Sequence, residues 1–430
     1  VGLLFLILFL VTLSKNLSAA HDSISYINEI DKGIFFHPHH LLYNYLAAKW
    51  VVLLKVLGIG RPDSVYAVES LNSVFGAMTI SLGYIFLRKI VGFNLKDAFI
   101  LSFLPAASFG FWYYSTTVEV YIIPLFFLFL CFLWFFSCKD SRTKWFLIGL
   151  FHGIAILFHQ VHCLFFITVV SVIFIQNSKP FNFKRIFSGI TVYSFTAAIV
   201  SAFPYLFITH FILGKKTFLD KWDWFTDYAQ KSEYWNTFGI NALIKAAIGF
   251  GRSIIGGHFI FPAIGGEILS KTILKGKWIA DEMFLVRNMS RQQGIFLIVL
   301  TLLLFSLIAY LKIISMKSLK KIISDNWKIL TISFIWLVSY TIFFIFWEPS
   351  NLEFWIPQSL IAWLILIVIL KDTIHKKDIN SKIVLLLPVL LFSINLFGSM
   401  RFFNNWDNDY YFRKVIPLQS TVSSGDLVIT

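Results

Sequence analysis

The chain has 430 residues, of which 57% are hydrophobic and 14% charged, whereas an ordinary soluble domain carries nearer a quarter charged residues. Apolar runs of about twenty residues recur along it, each long enough to cross a hydrocarbon core as a helix, and the alternation expected of barrel strands is absent. The net charge of +14 does not signal a nucleic-acid partner, because the Lys and Arg residues sit in short loops between apolar runs, where membrane topology accounts for them.

Eleven transmembrane helices are predicted, over residues 1–13, 65–87, 98–113, 118–136, 145–158, 163–175, 186–213, 295–311, 327–347, 354–370 and 383–397. The first run is too short to span comfortably and lacks a basic start, so it reads as a truncated span, with a signal-peptide core as the competing reading. At the other end, Asp426 to Thr430 reads as a strand, as at the opening of a further soluble domain. Residues 1–400 thus form the membrane domain and 401–430 an external tail. Cys131, Cys138 and Cys163 lie in or beside apolar runs without metal-type spacing and read as packing residues.

Basic residues fall in every second loop. Arg88, Lys89 and Lys96 occupy one, Lys139, Arg142 and Lys144 the next of that parity, and Lys179, Lys184 and Arg185 the third. Lys312, Lys317, Lys320, Lys321 and Lys328 follow, then Lys371, Lys376, Lys377 and Lys382. The positive-inside rule assigns that face to the cytoplasm. The opposite face receives the 15–64 loop, the turns at 115–117, 159–162 and 348–351, the 214–293 segment and the C-terminal tail. Residues 41–57, with Tyr43, Lys49, Trp50 and Lys55, form an amphipathic stretch suited to an interfacial helix. The 15–64 and 214–293 segments are expected to roof and wall a cleft. No internal repeat of the kind that builds many secondary transporters is evident.

The residues able to carry chemistry gather on that opposite face. The stretch from Gly249 to Gly256 follows no strand and lacks the spacing that cradles a pyrophosphate. A donor therefore arrives through the membrane, which favours a lipid-linked substrate. His21-Asp22-Ser23 stands just past the first span. Asp22 is placed where an acceptor hydroxyl could meet a lipid phosphate, or it caps the following helix. His37-Pro38-His39-His40 could bind a metal, hold a phosphate, or hydrogen-bond within a proline turn, and a metal would want a further ligand such as Asp22 or His159. Glu119, one turn into an apolar helix, is costly unless paired or used, or it reaches back to Thr116 in a capping box. His159 and His162 interrupt an apolar hairpin on the same side. Arg252, His258, Arg287 and Arg291 could counter a phosphate, since guanidinium forks match its oxygens, or simply meet lipid headgroups. The turn from Trp347 to Pro357 adds Glu348, Asn351 and Glu353 to the rim.

Four stretches taken in order carry a family resemblance: Asp22 with His37-Pro38, Glu69-Ser-Leu-Asn72-Ser-Val-Phe-Gly76, Thr117-Val-Glu119-Val-Tyr121, and Gly153-Ile-Ala155 running into His159-Gln-Val-His162. Together they resemble the GT-C membrane glycosyltransferases, specifically the bacterial relatives of protein O-mannosyltransferases, with the fit extending over about residues 1–175. The chain departs from that pattern at Ser25, where the family often has a second acid, and at His39-His40, where it has Pro-Gly.

The resemblance implies an all-α polytopic fold with external interfacial helices. It implies an inverting transfer of a sugar, a mannose-like hexose as first guess, from a polyprenyl-phosphate donor to a protein or glycan acceptor outside the cytoplasm of a bacterial plasma membrane. Asp22 would be the general base and Glu119 would assist or orient. His37 and His159 would lie near the donor phosphate, with His162, Arg252 and Arg287 as further candidates for it, and a divalent metal is left open as cofactor. A transporter or flippase of lipid-linked glycans is the competing class; it would need ionisable residues in mid-membrane, for which His152 is the clearest candidate.

Overall fold

A computed structural model describes residues 1–20, 22–59, 63–178, 180–271, 279–316 and 319–417. His21, Lys179, Lys317 and the expected strand at 426–430 lie outside the described residues. The described chain is helical, and its strand-like pairings are two isolated bridges, Ser178 with Phe181 and Trp235 with Trp347. In chain order the helices of the first half are α1 (Gly2–Val11), α2 (Ser23–Asp31), α3 (Tyr43–Val56), α4 (Ser64–Phe86), α5 (Leu95–Ala107), α6 (Phe109–Tyr114), α7 (Ile122–Ser137), α8 (Arg142–Phe158), α9 (Phe165–Gln176) and α10 (Phe183–Phe207). The second half has α11 (Phe218–Thr226), α12 (Ile240–Ile254), α13 (Ile260–Ile264), α14 (Gly266–Lys271), α15 (Ala280–Leu285), α16 (Arg291–Ser315), α17 (Leu319–Phe346), α18 (Ile356–Ile369), α19 (Lys371–His375) and α20 (Ile379–Asn395).

Each of the eleven predicted apolar runs falls on helix, but among the described residues six helices are long and apolar enough to cross a membrane: Ser64–Val91, Phe183–Ile212, Arg291–Ser315, Leu319–Phe346, Leu352–Ile369 and Ile379–Phe403. The other runs are shorter for local reasons. The 98–113 run breaks at Ser108, whose backbone is extended between α5 and α6; its hydroxyl donates to Leu104 O and accepts from the Trp363 indole, which fixes the break. The 118–136 run does not become helix until Ile122. At 1.5 Å per residue, the ten residues of α1 cover about half of a hydrocarbon core of about 30 Å.

The bundle closes around large aromatic side chains, with Trp112, Trp145, Trp336, Tyr193 and Tyr340 all fully buried. Close approach is made where side chains are absent. A Cβ added at Gly149 of α8 would lie 2.7 Å from Tyr193 O on α10, and one at Gly153 would lie 2.8 Å from Val200 Cβ. Small residues that let backbones meet are how helices associate in lipid, where apolar burial offers little. The cysteines are unpaired, and Cys131 is buried, its thiol facing Ile148 O.

Loops of one parity touch one another, as the distribution of basic residues anticipated. At one end Phe93 packs on His375, Ser315 bonds Thr373, Tyr310 bonds Asn380, and Lys144 donates to Cys138 O and Gln176. At the other end Ser14 N donates to Thr116 O, Lys15 N to Phe403 O and Gln160 N to His39 O. Helix α3 belongs to this second end, packing on α2 and α4, with Trp50 donating to Ser70 Oγ. The α8–α10 contact makes a prediction: Gly149→Val lowers the thermal midpoint of the detergent-purified protein, since overpacking costs about 1–3 kcal/mol. An unchanged midpoint would show that the two backbones do not meet there.

Candidate active site

The site is assembled at the second end by four polar stretches held to one another through main-chain bonds. On α4, Asn72 donates through Nδ2 to Thr117 O and Glu119 O, both at 2.7 Å, and to Tyr43 Oη at 3.2 Å. Ser73 Oγ donates to Ser115 O at 2.8 Å. One turn on, Gly76 faces Ser115 so closely that an added Cβ would sit 2.4 Å from its Oγ. The 115–121 link is thereby kept out of helix, which is why α7 starts late. Ser23 Oγ then donates to Val118 O at 2.7 Å, setting the Asp22–Ser23 step against the Val118–Glu119 step.

Neither carboxylate has the capping role that would make it ordinary. Asp22 sits at the N-cap position of α2 but accepts no capping bond; it is exposed, and its neighbour is the Tyr26 hydroxyl at 3.4 Å. Glu119 is buried in the link, before α7 rather than within it, and α7 is capped by no side chain. Its carboxylate accepts a long hydrogen bond from Val120 N, at 3.3 Å. Burial first, then the charges of Glu353 and Asp22, push the Glu119 carboxyl well above the usual carboxylate range.

A third acid joins them. Glu353, at the rim in the sequence reading, accepts from Tyr121 Oη at 2.5 Å, Tyr114 Oη at 2.9 Å and Asn351 Nδ2 at 2.7 Å. From Tyr121 the contacts run on to His159, with ring centroids 5.2 Å apart, then to His39 at 6.4 Å. His39 meets Tyr228 at 3.7 Å, His40 meets Tyr26 at 4.9 Å, and Tyr26 returns to Asp22. Asp22, Glu119, Glu353 and the histidines therefore occupy one region.

Beside it opens a cavity of about 470 Å³ lined by Phe36, His37, Pro38, Lys215, Asp223, Trp224, Asp227, Tyr228 and Lys231. Its walls come from the 15–64 and 214–293 segments, the two expected to enclose a cleft. His37 on the cavity wall stacks on His40, which meets Tyr26 beside Asp22. The long segment is fastened to the Trp347 turn by the Trp235–Trp347 bridge and by Asn236 N donating to Phe346 O at 2.6 Å. A smaller cavity of about 40 Å³ among α4, α5, α7 and α18 is lined by apolar side chains with Thr79 and Ser102, and holds no ionisable group.

The remaining candidates have other partners. Arg252 pairs with Glu282 at 2.7 Å. Arg287 donates to Phe284 O, Asn408 Oδ1 and Asp407 O, and stacks on Phe284. His258 meets Ser399 Oγ at 2.9 Å. None of the three lines the cavity. His162 turns to Tyr340 Oη at 3.1 Å, and His152 has both ring nitrogens occupied, by His162 O and Tyr193 Oη. The cations that do line the cavity, Lys215 and Lys231, were not singled out by the sequence reading. The aromatic and acidic run Trp222 to Tyr228 around them was the available signal.

No family model matches the chain, and no curated protein matches it. Among solved structures it is similar to ArnT from Cupriavidus metallidurans bound to undecaprenyl phosphate, at 10% identity and a TM-score of 0.49, covering 99% of this chain and 80% of that one. It is also similar to the apo form of the Archaeoglobus fulgidus oligosaccharyltransferase, at 12% identity and a TM-score of 0.41, covering 99% of this chain and 58% of that one. The likeness lies in the arrangement of helices, and no residue role is carried across from either.

The buried Glu119 makes a pH prediction. Its raised carboxyl keeps in the folded state a proton that the unfolded chain releases above about pH 4.3. The stability it contributes is therefore lost as pH rises from there through the folded value. Glu119→Gln, which cannot ionise, should gain thermal midpoint over wild type progressively as pH rises above about 4.3. Parallel midpoint curves for the two proteins would mean that Glu119 is solvated.

Proposed function

We propose that the chain is an inverting glycosyltransferase that moves a sugar from a polyprenyl-phosphate donor to an acceptor hydroxyl on the non-cytoplasmic face of the membrane. The observation that carries the reading is Asp22: an exposed carboxylate without a capping bond, joined through Tyr26, His40 and His37 to the wall of a polar cavity at one end of an apolar bundle. A hydroxyl is a weak nucleophile, and a positioned carboxylate that takes its proton during attack gives it strength.

The cavity supplies what the leaving group needs. A polyprenyl phosphate departs as an anion and is stabilised by fixed positive charge; Lys215 and Lys231 stand on the cavity wall beside His37. Glu119 and Glu353, with Tyr121 and Tyr114, form the frame behind Asp22 and orient the site. His159 connects that frame to the His37–His40 loop. A lipid-linked donor suits a cavity that opens where apolar helices end, because the prenyl chain stays among lipids while the phosphate reaches the polar wall.

The ordered motifs resemble the GT-C glycosyltransferases, which supports the class of donor. The basic loops gathered at the far end support a site that faces away from the cytoplasm, and eleven crossings, with the shorter apolar helices spanning as well, complete the proposed topology. A mannose-like hexose is the first donor to try, against protein and glycan acceptors.

The test is transfer by purified protein from synthetic polyprenyl-phosphate sugars. Asp22→Asn keeps the shape and removes the basic oxygen, so turnover should fall by about 10²–10⁴-fold with expression and thermal midpoint unchanged. Wild-type turnover in that variant at saturating donor would remove Asp22 from the role of base.

A further inference from the structure

We propose that His37, His39 and His40 form a binding site for one divalent transition-metal ion of the zinc class. One ligand atom from each imidazole lies within 4.8 Å of the others. Tetrahedral zinc with Zn–N near 2.0–2.1 Å places its nitrogens about 3.4 Å apart, so the ion would draw the nitrogens together and turn His37 or His40 out of the stacked arrangement. Imidazole nitrogen is a ligand that zinc, copper and nickel share.

The geometry is unexplained without a ligand. His40 is fully buried, yet neither of its ring nitrogens has a hydrogen-bond partner, and His37 Nδ1 is likewise buried and unpartnered. A buried polar atom left unpaired costs about 1–3 kcal/mol. Its rings are instead turned on one another: His37 stacks on His40 with centroids 4.3 Å apart and meets His39 edge-on at 4.4 Å.

The loop itself does not need these nitrogens. Its main chain is fastened from outside, Pro38 O accepting from Gln160 Nε2 at 2.6 Å and Tyr205 Oη at 2.7 Å, and His39 O accepting from Gln160 N. Three imidazoles are thus pre-positioned by bonds that leave their own nitrogens idle. No ligand from outside the loop, such as Asp22 or His159, is needed to make three: the loop contains three of its own.

Three protein ligands leave a coordination position open, as in catalytic rather than structural zinc sites. His37 also lines the cavity, with Asp227, Tyr228 and Lys231 on the facing wall. On the glycosyltransferase reading, and resting on it, the ion would bring to the donor phosphate a charge that neutral histidines cannot supply.

The experiment uses full-length, tag-free protein in detergent, stripped with chelator and dialysed to equilibrium against Zn²⁺, with Co²⁺ as the spectroscopic probe. Wild type should bind one ion per chain and give the ligand-field bands of nitrogen-ligated Co²⁺. His39→Ala and His40→Gln should each lose the bound ion and the bands at the same free-metal concentration, while His210→Ala keeps both. Monodispersity and thermal midpoint verify that the variants are folded, and His39, only half-buried, guards against collapse of the His40 variant. No stoichiometric binding by wild type, or binding undiminished in both loop variants, would overturn the site. The readout is metal alone, so a failure to detect sugar transfer would count against the functional reading and leave this inference standing.

Discussion

The carboxamide of Asn72 is where the membrane bundle and the site are joined. Its two N–H donors serve three acceptors, two of them carbonyls of the 115–121 link and the third the Tyr43 hydroxyl at the start of α3. Carbonyls in a lipid-facing bundle have no water to turn to, and an unsatisfied one is expensive. Asn72 satisfies two in a stretch that cannot be helix, and that permits Glu119 to sit on an irregular link instead of a helix flank. Ser73 and Gly76, on the same side of α4, extend the contact by accommodating Ser115. One helix face thus sets the position of Glu119, of Ser23 through Val118, and so of Asp22.

Much of this organisation was legible in the sequence because it is carried by local signals. Alternating basic loops sorted the turns into two sets, and the contacts Phe93–His375 at one end and Gln160–His39 at the other respect that sorting. The motif at 69–76 and the motif at 117–121 were each visible, and they are the two that meet through Asn72. Helix lengths were less legible. Hydropathy counts apolar residues without seeing that Ser108 is held extended by Trp363, 255 residues away, or that Asn72 keeps 115–121 out of α7.

Where the structure gives residues partners that the sequence did not, the cause is that charge can be read from a sequence but its partner cannot. Arg252 and Arg287 were fair candidates for a phosphate until Glu282, Asp407 and Asn408 took their donors. Glu353 was one of several acids in a Trp- and Pro-rich turn; its place in the site comes from Tyr114 and Tyr121, which lie 239 and 232 residues earlier. Lys215 and Lys231 looked like any interfacial lysines until the 36–38 loop closed a cavity against them.

The site has an uneven electrostatic design, and that unevenness argues for its division of labour. Glu119 is buried, and Glu353 is half-buried and held by two phenol hydroxyls, environments that suit groups which position others. Asp22 alone among the three is exposed and without a capping duty, so it can meet an incoming hydroxyl without a desolvation cost. Across the cavity the fixed charge comes from Lys215 and Lys231, and Lys231 is shared with Asp227 at 3.2 Å. A surface pair of this kind is worth about 0–1 kcal/mol, so Lys231 can exchange Asp227 for a phosphate at little cost. On the proposed reading, that phosphate is the departing polyprenyl phosphate, and the same weak pairing lets Asp227 take Lys231 back as it leaves.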